Sequence, residues 1–147
     1  KQTFKLIQED FLNDFDKETL RSIGVVKQPL HEPRAFSKKT ITDSYNQENG
    51  LDIDGSSFVH PVGGHIISDM ELARMTEEEK NQAFSDEGLG DTFDFDKNCR
   101  AMSGHHNRRM GVLRLSEYMK VINDSDEIVK DKQRQKYDEL KSKDILV

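Results

Sequence analysis

Two stretches of the 147-residue chain hold side chains whose types and spacing could do chemistry. Residues 102–124, MSGHHNRRMGVLRLSEYMKVIND, place a histidine pair and an arginine pair directly after a Ser-Gly turn. A glycine turn feeding a helix start presents free backbone N–H groups and the positive end of the helix dipole. Gly104, His105, His106, Arg108 and Arg109 would then form an anion or nucleotide site, with charge-assisted donors for phosphate. The alternative is a core helix with a solvated basic edge. Val112, Leu115, Tyr118, Met119 and Ile122 recur at helical spacing. Gly111 costs about 1 kcal/mol relative to Ala inside a helix, so the helix is expected to begin just after it, with Ser103 and Asn107 as candidate caps.

The second stretch is residues 51–64, where Asp52-Ile53-Asp54-Gly55 invites a calcium loop. The register fails: with Gly55 sixth, the first and twelfth positions are Gly50 and Pro61, where Asp and Glu are needed. The cluster Asp91, Asp94, Asp96 lacks the glycine as well. His60, His65, Cys99 and His105 or His106 contain the atoms for zinc, but their spacing matches no tight zinc pattern. No metal or other cofactor is therefore expected, and no catalytic residue is assigned. There is no Walker-type phosphate loop and no Gly-x-Gly-x-x-Gly.

Two resemblances attach to the His-Arg stretch. The run SGHHNRRMG, followed by LRLSEYMKVIND, resembles the nucleotide-binding box of the ParB/sulfiredoxin-like fold, with residues 31–51 similar to an earlier part of that fold. Asn107 stands where that family carries Arg, and Met110 where it packs a small residue. The resemblance implies a nucleotide- or nucleic-acid-binding module. His105-His106-Asn107 also resembles the His-based nucleases, which implies a metal enzyme. Such a nuclease needs a ββ-metal arrangement, which the sequence does not place.

The elements that must position these residues are mostly helical. Phe4, Ile7, Phe11, Leu12 and Phe15 give the clearest amphipathic stripe, making residues 1–23 a helical arm able to dock in a neighbour's groove. Residues 25–36 read as extended, because Pro29 and Pro33 disfavour helix before them. Ser37 caps a polar helix expected to reach Asn49, with Gly50 as its stop. Short strands are expected at 51–53 and 57–59, and another around Phe93 and Phe95. Ser68 with Glu71 and Thr76 with Glu79 form capping boxes for helix over 69–84. Asp124 with Glu127 opens a charged C-terminal helix within 125–147, where Tyr137, Leu140, Ile145 and Leu146 supply a narrow apolar seam. The expected fold is mainly α with minor short β-strands (α+β), in a single domain over 1–147 with long connections and terminal helices.

Composition bounds the function. The hydrophobic fraction is 33% and the charged fraction 34%, a thin core for this length, so burial against a partner is expected. The net charge of −6 argues against nonspecific nucleic-acid binding by the whole surface. Residues 99–121 nevertheless carry 5 basic groups and 1 acidic group, so nucleic acid or a nucleotide can be engaged locally. No stretch approaches the roughly 20 apolar residues of a membrane span. A chain starting at Lys1 is expected to be a fragment or processed product. The leading expectation is a non-enzymatic assembly subunit, cytoplasmic or in a virion or other complex. Other protein subunits would be its partners, docked through Phe4, Ile7, Phe11, Phe15, Tyr137, Leu140, Ile145 and Leu146.

Overall fold

The computed structural model describes residues 34–143. The expected arm at 1–23 and its Phe4, Ile7, Phe11 and Phe15, together with Ile145 and Leu146, lie outside the described residues. Among the described residues the architecture is mainly α with minor β: six α-helices, one 3-10 turn and a two-stranded antiparallel sheet.

Helix α1 (Lys38–Gln47) starts where Ser37 Oγ accepts the Thr40 N–H at 3.2 Å. It ends two residues short of Asn49, because Asn49 and Gly50 turn left-handed, at φ 57° and 70°. Ser44 fastens this polar helix to the sheet by accepting the Ala101 N–H at 2.8 Å.

Strands β1 (Val62–His65) and β2 (Cys99–Met102) pair Val62 with Met102 and His65 with Cys99. Both lie outside the stretches expected to be strands. Residues 51 and 57 form only a single bridge closing a tight loop. The Phe93/Phe95 segment is not a strand either. Phe93 packs edge-on against Phe84 at 5.0 Å, and Phe95 stacks on Phe36 at 4.7 Å before the 3-10 turn Asp96–Asn98. Two aromatics recruited by different neighbours pull the backbone out of an extended register.

The pairing continues past the end of β1 through Asn98. Its backbone carbonyl accepts the Ile66 N–H at 2.9 Å. Its buried side-chain amide accepts from Ile67 N and donates to Ile67 O, both at 2.8 Å. A primary amide thus substitutes for a neighbouring strand and leaves neither backbone group of Ile67 unsatisfied.

Helix α2 (Asp69–Leu72) is capped by Ser68 and helix α3 (Glu77–Asp86) by the Thr76–Glu79 capping box. They close a small core of Ile67, Leu72, Ala83 and Phe84. Helix α4 (Gly104–Met110) follows β2 with one intervening residue, its cap Ser103. Gly111, at φ 55°, ends this helix instead of preceding one. Helices α5 (Leu115–Met119) and α6 (Asp126–Lys141, capped by Ser125) complete the chain. The main core joins Ile53, Met102, Met110, Leu113, Tyr118, Val121 and Val129 between the sheet and these last three helices.

Candidate functional site

Loop 51–57 and helix α4 converge on one polar cluster. The loop is tight: Asp52 N–H donates to Ser56 O at 2.7 Å, and Gly55 turns at φ 85°. Asp54 Oδ1 accepts the Ser56 N–H at 2.9 Å, which fixes its carboxylate. Asp52, only 5% exposed, accepts with Oδ1 from the backbone N–H of Ile53 at 2.8 Å and of Ser103 at 3.1 Å. The residue that caps α4 is therefore also the one that holds the loop's buried carboxylate.

His106 lies between the loop and α5. Its Nε2 is 3.0 Å from Asp54 Oδ2 and its Nδ1 is 2.8 Å from Tyr118 Oη. An ionised carboxylate only accepts, so Nε2 carries a proton here. Arg109 Nη1 donates to the same Tyr118 oxygen at 3.1 Å, which leaves the phenol proton for His106 Nδ1 in the neutral ring. The result is a chain of hydrogen bonds, Asp54–His106–Tyr118–Arg109, across three segments. The Ser56 hydroxyl, then His106, then the Ser56 N–H hold the Asp54 carboxyl well below its ordinary range.

Asp52, Asp54 and His106 each offer a ligand atom, and the three atoms lie within 4.8 Å of one another. Two carboxylates and an imidazole suit a divalent cation that accepts oxygen with some nitrogen, such as manganese, magnesium or zinc. The zinc grouping considered from sequence is not assembled. His65 Nε2 is 3.1 Å from Arg34 O and its ring lies against Phe36 at 4.5 Å, while burial and then Asp96 push the Cys99 thiol up to about 11. His60 sits apart in a loop at φ 59°.

The residues proposed for an anion site divide. Arg109 is committed to structure, reaching Tyr118, Ile122 O at 2.6 Å and Asp126 at 2.9 Å. Arg108 is exposed and folds back toward Gly104, where a Cβ would come within 2.9 Å of its guanidinium. His105 is exposed, with its ring 5.1 Å from that of His106, and both His105 and Arg108 line a groove between α4 and α6. Of the expected interface residues that are described, Tyr137 is 41% exposed, whereas Leu140 is 1% exposed and packed inside.

Sequence reasoning missed Asp52, Asp54 and Tyr118 as partners of His106. The signal present was the Asp-x-Asp-Gly loop itself. A calcium register is local, whereas the third donor here lies 52 residues away from Asp54. Comparison with protein families, curated proteins and solved structures finds no match for this chain. Among the described residues, no helix is long and apolar enough to cross a membrane.

Proposed function

We propose that this protein is a divalent-metal-dependent phosphodiesterase of the His-based nuclease type, with Asp52, Asp54 and His106 as the metal ligands. The observation that carries the proposal is the cluster itself: Asp52, Asp54 and His106 bring three candidate ligand atoms within 4.8 Å of one another. The helix bearing His105-His106-Asn107 follows β2 after a single capping residue, and β2 pairs with β1 across the intervening α2, α3 and 3-10 turn.

A cation held there would supply Lewis-acid stabilisation of the charge that develops on a phosphoryl group. The chain's own residues do the positioning. Ile53 and Ser103 N–H groups fix one oxygen of Asp52, so its other oxygen has a defined direction. The Tyr118 hydroxyl donates and accepts, so it can hold His106 in either tautomer, including the one that frees Nε2 for a ligand. Arg109 keeps the phenol in place. Exposed His105, its ring 5.1 Å from that of His106, stands beside the cluster as a donor for a phosphate oxygen.

The test is hydrolysis of bis(p-nitrophenyl) phosphate by the full chain, with and without added manganese or magnesium. Metal-dependent turnover is expected, lost at least tenfold in Asp54→Asn and His106→Ala while manganese binding measured by calorimetry weakens in both. Wild-type protein with neither metal binding nor turnover removes the proposal.

A further inference from the structure

Helix α6 has two different sides. Val129, Lys136 and Leu140 are buried, and Gln133 is half-buried, donating to Arg109 O. The other side carries Lys130, Arg134, Tyr137 and Lys141, all exposed and spaced four, three and four residues apart, which is one continuous helical stripe. Arg108 of α4 faces this stripe across a groove that Val112 and Tyr137 also line. At 1.5 Å per residue the stripe is about 16 Å long, the reach of a few nucleotides.

The charge in the groove runs against that of the chain. The whole protein carries −6, yet the groove presents Arg108, Lys130 and Arg134. Of the acidic groups around it, Asp126 pairs with Arg109 at 2.9 Å, Asp131 pairs with Arg134 itself at 3.1 Å in an exposed ion pair that a phosphate must displace, and Asp138 stays in the wall. A cationic track with an exposed aromatic ring fits a polymer of alternating phosphates and flat bases.

We propose that the α4–α6 groove binds a single strand of nucleic acid, with phosphates on Arg108, Lys130 and Arg134 and a base stacked on Tyr137. The Lys141 ammonium lies over one face of the Tyr137 ring at 5.4 Å, so the base takes the opposite face. The inference deepens the phosphodiesterase proposal by naming its substrate class, and it rests on that reading only for what happens to the strand once bound. The site adjoins the metal cluster through His105, which lines the neighbouring part of the same groove.

The experiment is fluorescence anisotropy of a labelled 15-nucleotide thymidine oligomer with the full chain in EDTA, at several salt concentrations, beside a duplex of equal length. Wild type is expected to bind the single strand better than the duplex. Lys130→Ala/Arg134→Ala should weaken binding at least tenfold and reduce the slope of log K against log salt by about 1.4, two phosphate contacts' worth. Tyr137→Ala should weaken it at least fivefold with the slope unchanged. Lys38→Ala/Lys39→Ala, on the exposed start of α1, is the control for nonspecific charge. Equal losses in that control, or a duplex preference indifferent to Tyr137, overturn the inference. Because binding is read without metal, a chain that fails to hydrolyse the small phosphodiester can still bind the strand, and the two proposals fail separately.

Discussion

Asp54 shows what one side chain contributes before any ligand is considered. Its carboxylate accepts from the Ser56 hydroxyl and N–H and faces His106, and these contacts hold its folded-state pKa below the ordinary value of 3.8. Glu71 is lowered too: burial pulls it up, but the hydrogen bond from Arg114 and the charges of Lys136 and Arg114 outweigh that. For a depressed carboxylate the stability gained is complete above the unfolded pKa and is lost as pH falls through the folded one. The Asp54 contribution should therefore be present at pH 5 and fade below about pH 4. The melting temperature of Asp54→Asn should approach that of wild type between pH 5 and pH 2.5, because only the wild type loses the contribution. A constant gap between the two curves would mean that Asp54 gains nothing from Ser56 and His106 in the fold. The sequence shows both aspartates and both histidines. What it does not show is that a loop and a helix fifty residues apart meet, since the contact is made by Ser103 with Asp52 and His106 with Asp54 and not through local spacing.

At the scale of elements, the two strands were the hardest part of the fold to read. Val62-Gly63-Gly64-His65 looks like a loop, because glycine is depleted in strands. Here the glycines are what allow the layers to meet. A Cβ on Gly63 would lie 2.8 Å from the Phe36 ring, and one on Gly64 would overlap the Met102 side chain. The helix caps at Ser37, Ser68 and Thr76 were legible, because a cap is a local bargain between a hydroxyl and an N–H two or three residues on. The Gly64 environment depends on a residue 38 positions later and could not be. Gly64→Ala should thus cost about 1–3 kcal/mol through overpacking. Met102→Ala should cost about 2–5 kcal/mol through a cavity. In the double variant the two changes relieve each other, so urea denaturation should give a total smaller than the sum by at least about 0.5 kcal/mol. Strict additivity would show that the new methyl group is accommodated elsewhere.

Across the whole molecule, charge takes a place that apolar residues usually fill. The sequence is 33% hydrophobic and 34% charged, and the described core is split into two clusters. Between them lies a buried ionic network that no periodicity reveals. Arg114, leading into α5, reaches Glu71 of α2 through Nε at 3.0 Å and Glu87, just after α3, through Nη1 at 3.0 Å. Lys136 of α6 meets the same Glu71 at 3.0 Å and Glu117 of α5 at 3.1 Å. Glu71 and Lys136 are nearly inaccessible, at 7% and 8% side-chain exposure. Two cations around a buried carboxylate are tolerated only as a set, because removing one leaves the remaining charges desolvated and underpaired. Arg114→Met should then destabilise the protein by about 3 kcal/mol, the low end for a broken buried pair. The decisive comparison is Arg114→Met with Glu71→Gln. If the penalty comes from an orphaned carboxylate, neutralising Glu71 recovers part of the loss in urea unfolding. If the penalty is only lost packing of the Arg114 stem, the second change adds its own cost instead, and the network is incidental to how α2, α3, α5 and α6 hold together.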